Sequence, residues 1–141
     1  MEGAVSTLSF TGVLLFLFGL LTGFGIPMFR SPRIGLSAHL DAIESGLALI
    51  AFGLLLPHLT ISPGWASAIA YVLWISLYVL WIGLMAGAVY GTGRVFPIAG
   101  AGLEVRAKRW QERLSSTLIS LGAIGSVVGV AALIVQWRWQ W

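Results

Sequence analysis

Long apolar stretches interrupted at a few polar points set the organisation of this chain. Leu8–Phe29 runs 22 residues without a charge, about 33 Å as an α-helix and enough to cross a hydrocarbon core of about 30 Å. Glu2 at its start and the length of the apolar run mark it as a span rather than a signal peptide. A second stretch, Leu36–Leu56, stops at Pro57, which cannot continue a helix without losing a backbone hydrogen bond. Trp65–Tyr90 is again uncharged. Thr117–Val135 leads into Trp137, Trp139 and Trp141, an aromatic cluster suited to a membrane interface. The pattern predicts an all-α integral membrane protein, a single four-transmembrane-helix bundle over residues 1–141 with spans at about 8–29, 36–56, 65–90 and 117–135.

Composition sharpens this. Hydrophobic residues make up 58% and charged residues 9%, against roughly 45–50% and about 25% in soluble domains. With a mean hydropathy of +0.94, a chain this short cannot hide its apolar surface inside a globule. A soluble domain and a disordered chain are both excluded. There is no cysteine, hence no disulfide, thiolate nucleophile or cysteine-ligated metal. The net charge of +3 comes without the aromatic-basic array of a nucleic-acid binder, so no nucleic-acid partner is expected and the lipid bilayer is the expected surround. Of the eight basic residues, Arg30 and Arg33 fall in loop 30–35, and Arg94, Arg106, Lys108, Arg109 and Arg113 in loop 91–116, leaving Arg138 across the membrane. Seven against one places both loops in the cytoplasm and both termini outside, in a bacterial inner membrane.

Within loop 91–116, residues 91–102 are too rich in Gly and Pro for a regular helix and read as a re-entrant or cavity-lining segment. The charged stretch Leu103–Leu114 reads as a solvated or interfacial helix entering the last span. Glycines recur at contact spacing, at Gly19 and Gly23, at Gly83, Gly87 and Gly91, and at Gly125 and Gly129. Small residues four apart let helices approach closely in lipid, within the bundle or between subunits.

Ionisable groups inside a span are costly, roughly 2.5–3.5 kcal/mol each on insertion scales, and are functional candidates for that reason. The second span holds three: His39, Asp41 and Glu44. At 100° per residue, Asp41 and Glu44 share a face with Ser37 and Ala48. They have Arg30, Arg33 and Arg94 as possible partners, and a proton relay or a metal-binding carboxylate pair as the sharper alternative. His39 lies on the opposite face, heading a line with Gly46 and Gly53 that would form a flat wall for a planar cofactor. Haem ligation, general acid–base work and a plain hydrogen bond at the membrane edge all remain open for this imidazole. His58, beside Pro57 in the opposite turn, is read as solvated.

Ala38-His39-Leu40, the small residue Gly46 and the apolar run ending Leu56-Pro57 resemble the second helix of styrene oxide isomerase and its relatives. The segment 91–102 followed by Trp110-Gln111-Glu112 resembles the loop before the last helix of the same family. The resemblance implies a small four-helix membrane protein, homo-oligomeric as a trimer, binding haem b, with His39 as the iron ligand. It implies a small apolar epoxide as substrate: ferric haem acts as a Lewis acid on the epoxide oxygen, the C–O bond opens toward a cation, a 1,2-hydride shift follows, and an aldehyde or ketone leaves without net redox change. The family's asparagine, six residues after the histidine, falls on Ser45, and its third-helix tyrosine falls near Leu84. Ser45, Tyr78 and Tyr90 are therefore the hydroxyls expected to position the substrate, beside His39, Gly46 and Gly53 for the cofactor. Two other classes stay in view: a membrane haem protein for electron transfer or sensing, and a small transporter using Glu44.

Overall fold

In the computed structural model, residues 2–93 and 107–138 are described. Four helices follow in chain order: α1 (Glu2–Gly25), α2 (Pro32–Leu55), α3 (Pro63–Tyr90) and α4 (Arg109–Arg138). Each is long and apolar enough to cross a membrane, so the all-α four-helix membrane architecture expected from the sequence is the one observed. Short 3₁₀ turns, Ile26–Met28 and Leu56–His58, end the first two spans. The expected re-entrant segment falls largely on residues 94–106, and with Trp139 and Trp141 it lies outside the described residues.

The helix ends follow local chemistry. Both α2 and α3 begin with a serine followed by proline, Ser31-Pro32 and Ser62-Pro63, and proline fits the first helical position because its missing N–H has no intrahelical partner there. This starts α2 four residues before the expected Leu36. At the end of α3, Gly91 adopts φ 70°, ψ 48°, and the N–H groups of Gly91 and Thr92 both return to the Gly87 carbonyl at 2.9 and 3.1 Å. Only glycine takes this left-handed turn without strain. At the start of α4, Lys108 N–H donates to Gln111 Oε1 at 2.8 Å, half of a capping box. The charged stretch 109–114 is thus the first part of α4 itself, continuous with the span. Glu112, read from sequence as solvated, is buried and accepts a hydrogen bond from Gly93 N–H at 2.9 Å.

Lipid is as apolar as leucine, so burial of side chains drives helix association weakly; close backbone approach and interhelical hydrogen bonds must supply it. The helices pair accordingly. α1 lies along α2 and α3 along α4, and the two pairs join through α2 and α3, with a smaller α1–α3 contact. Where α1 meets α2, a Cβ on Gly46 would stand 2.6 Å from the Phe16 nitrogen, and one on Gly12 would stand 2.8 Å from the Gly46 carbonyl oxygen. In α4, Gly122, Gly125 and Gly129 face Leu80, Ser76 and Leu73 of α3. Three side-chain-to-carbonyl bonds tie the pairs: His39 to Gly19 (2.7 Å), Tyr78 to Thr11 (2.7 Å) and Ser115 to Gly83 (2.9 Å). Each is worth about 0.6 kcal/mol, with a ceiling near 1.7. Phe18 of α1 stacks on Trp81 of α3 with ring centroids 5.5 Å apart.

Gly46→Ala forces α1 and α2 apart and is expected to cost about 1–3 kcal/mol, read as a lower midpoint of thermal unfolding in detergent. Gly64→Ala, where a Cβ meets nothing within 4 Å, is the control and leaves the midpoint unchanged.

Candidate functional site

The site is built from the α1–α2 contact upward. Gly19 and Gly23 lack side chains on the face α1 turns to α2, and His39 occupies the space they leave. A Cβ on Gly23 would stand 2.9 Å from both Nδ1 and Cε1 of the ring, so the imidazole lies flat against the helix. Its Nδ1 is 2.7 Å from the Gly19 carbonyl oxygen. A carbonyl can only accept, so Nδ1 carries the hydrogen, and in the neutral ring the lone pair is on Nε2. A neutral imidazole locked in that tautomer by a backbone carbonyl is the usual arrangement of a metal-ligating histidine. The ring is half-buried. Among the described residues no group of three His, Asp or Glu side chains gathers around a common point.

Gly46 and Gly53 do not form a wall for a planar cofactor. Gly46 is filled by the backbone of Gly12 and Phe16, and Gly53 by Ser9. The stripe below His39 serves helix contact instead, because α1 runs antiparallel along that whole face.

Two of the hydroxyls expected to position substrate, those of Ser45 and Tyr78, are not brought beside His39 within one chain. Ser45 is buried on α2, but six residues further on, about 9 Å along the axis and roughly 120° around it. Tyr78 donates to the Thr11 carbonyl, eight residues or about 12 Å along α1 from Gly19. Tyr90 ends α3, whose Ala88 carbonyl accepts from Ser31 N–H at the start of α2, and its ring is edge-on to Trp110, centroids 5.6 Å apart. Leu84 is buried in a cluster with Ala38 and Ile119. His58 is exposed, as expected.

The carboxylates divide. Glu44 is exposed on the outer surface of the bundle, whereas Asp41 is partly buried. Oδ2 of Asp41 has no hydrogen-bond partner among the described residues, so pairing with Arg30 or Arg33 does not reach that oxygen. Nε1 of Trp81 is likewise buried and unpartnered. A cavity of about 480 Å³ opens between α2, α3 and α4, lined by Ala48, Phe52, Leu73, Leu77, Val127 and Val130 among others. Sequence reasoning missed this groove: no single helix encodes it, since it arises where α4 lies against α3 and leaves α2 across a gap.

Comparison with known proteins agrees with the architecture. A family model described as styrene oxide isomerase matches residues 5–138. Among curated proteins, hydroxylaminobenzene mutase HabB of Ectopseudomonas oleovorans is 37% identical over 123 residues, covering 86% of this chain and 74% of the relative. Hydroxylaminobenzene mutase HabA of the same organism is 36% identical over 110 residues, covering 77% and 80%.

Because the Tyr78 hydroxyl is spent on the Thr11 carbonyl, Tyr78→Phe should lower unfolding stability in detergent by about 0.5–1.5 kcal/mol, measured by thermal unfolding at fixed detergent concentration.

Proposed function

The chain belongs to the styrene oxide isomerase family, an integral membrane protein with isomerase or mutase activity, and from that premise we propose a haem b-dependent isomerase of aryl substrates bearing a weak bond to oxygen. The observation that carries the proposal is the His39 geometry: Nδ1 held on the Gly19 carbonyl at 2.7 Å, which in the neutral ring leaves the lone pair on Nε2. The donor set fits haem, since a single imidazole nitrogen is a common ligand of its iron, and His39 would be the residue that holds it. When bound, haem iron supplies a Lewis acid for the substrate oxygen.

This chain's residues have separate tasks. His39 holds the ligand nitrogen in one tautomer and orientation. The Gly19 carbonyl, accepting from Nδ1–H, keeps the ring from turning. Lipid-facing helices exclude water, which would otherwise capture a cationic centre. In an epoxide, the C–O bond breaks, hydride moves to the adjacent carbon and a carbonyl forms, so the product has the composition of the substrate. In hydroxylaminobenzene, named in the curated relatives, the weak bond to oxygen is N–O and the aryl ring again stabilises the electron-poor centre. Both need no external electron donor.

The proposal includes a homotrimer. His39 and Ser45 lie on different faces of α2, and α4 leaves Leu121, Ile124, Val127, Val128, Ile134 and Val135 exposed. The orientation proposed keeps loops 30–35 and 91–116 in the cytoplasm of a bacterial inner membrane. A reporter that fluoresces only in the cytoplasm, fused after Trp141, should stay dark, and bright cells would reverse the orientation.

The reaction is tested on detergent-purified protein. A Soret band with one haem per chain is expected, together with isomer formation from styrene oxide or hydroxylaminobenzene without NAD(P)H or O₂. Activity should fall when dithionite reduces the iron, because ferric iron is the stronger acid. Haem-loaded protein inactive on both substrates would favour the electron-transfer reading.

A further inference from the structure

Val127, Ala131, Ile134 and Arg138 follow one another at intervals of four, three and four residues, so they form one stripe along α4. The first three line the groove of about 480 Å³, across from Ala48 and Phe52 of α2. Arg138, exposed, continues the stripe beyond it. From Ser126 to Ile134 the groove runs about 12 Å along α4, and Ile134 lies about 6 Å short of Arg138. On the other wall, Phe52 is three residues from the end of α2 at Leu55. A guanidinium is costly in hydrocarbon, so Arg138 marks the headgroup level, as does the exposed Trp137 beside it. The groove therefore lies about 6–18 Å below the headgroups, against about 15 Å for half of a 30 Å hydrocarbon core. That is the depth of one leaflet's chains.

The lining argues against water and substrate alike. Ser126 is the one polar side chain among the described lining residues, and its hydroxyl donates to the Ala123 carbonyl at 2.9 Å. No lining side chain is left to hold water or to orient the oxygen of a reacting molecule. His39 lies against Gly23 of α1, on another side of α2.

We propose that the groove is a binding site for one acyl chain of a glycerophospholipid whose phosphate pairs with the Arg138 guanidinium. The walls take the hydrocarbon, and the guanidinium fork matches the phosphate oxygens. A helical side chain covers the turn N-terminal to its own Cα, and for Arg138 that turn holds Ile134, at the edge of the groove. The cation also offsets the negative end of α4, which alone would repel a phosphate. Bound there, the lipid bridges α2 and α4, which meet chiefly through α3. The site is independent of the isomerase reading and of haem.

The test uses the full-length protein in dodecyl maltoside, a phosphate-free detergent, with two photoreactive lipids at equal mole fraction. Phosphatidylglycerol and diacylglycerol carry the same diazirine-bearing chains and differ in the phosphate headgroup. Crosslinked residues are mapped by mass spectrometry of peptides. Phe52 and Ile134 should be labelled about fivefold more by phosphatidylglycerol, the effect of one cation near an anionic lipid surface. Arg138→Gln should bring the two lipids within about twofold, and Arg138→Lys should keep most of the difference. Arg113→Gln, at the other end of α4, should leave it unchanged. Ala131→Trp, which fills the groove, should lower labelling there by both lipids and leave the labelling of Phe24, exposed on α1, unchanged. Equal groove labelling by the two lipids in the unmodified protein, or an undiminished preference in Arg138→Gln, overturns the site. Groove residues that stay unlabelled would mean that a second copy covers them, and loss of the label in excess styrene oxide would make the groove a substrate site. Either result also overturns it.

Discussion

The contact between the glycine faces of α1 and α2 governs the rest of this molecule. In water the two helices would be held together by burying leucines; in lipid that term nearly vanishes, and what remains is the fit of one backbone against another. Gly12 against Gly46 brings the helices close enough that an added methyl has no room. One consequence is structural, since α1 and α2 form a rigid pair. The other is chemical. Close approach places the Gly19 carbonyl within reach of a ring on the neighbouring helix, and His39 Nδ1 meets it at 2.7 Å. A looser contact would leave the imidazole free to turn and either nitrogen free to carry the hydrogen. Helix packing thus favours one tautomer, and the proposed function uses the nitrogen it leaves, Nε2, as the ligand.

The same packing spreads the polar groups of α2 over separate faces. His39 belongs to the α1 side, whereas Asp41 and Ser45 share the other side of α2, Asp41 partly buried and Ser45 buried. No single chain gathers them. α4, which packs on α3 alone to any extent, keeps a wide apolar surface for lipid or a second copy. Under the proposed function, isomerisation of an aryl substrate asks this frame for a metal-binding nitrogen of fixed orientation, proposed to be Nε2 of His39, and for a dry apolar bed.

Much of the fold was legible in the sequence because lipid imposes a length rule: uncharged runs of about 20 residues must be helices that cross. The proline starts at Pro32 and Pro63 and the glycine stop at Gly91 set the ends. His39 stood out because an ionisable side chain in a span is expensive. What could not be read was direction. The line His39, Gly46, Gly53 has the spacing of a cofactor wall and of a helix contact alike, and only the position of α1 decides between them. Tyr78 reads as a free hydroxyl until Thr11 is seen opposite it. Glu112 reads as solvated until Gly93 folds back on it. The groove has no signature in any one helix. Each of these depends on which element lies across the way, and a periodicity carries no information about its partner.

The account stands or falls on Nε2 of His39 as the ligand that holds haem. Removing the side chain and then supplying its ring separately measures this most directly. Purified His39→Gly protein, incubated with haem, should show no bound Soret band at one per chain, and adding free imidazole should restore it as the small molecule enters the vacated space against Gly23 and takes up the same carbonyl. Full haem retention by His39→Gly in the absence of imidazole, with an unshifted Soret maximum, would contradict the account.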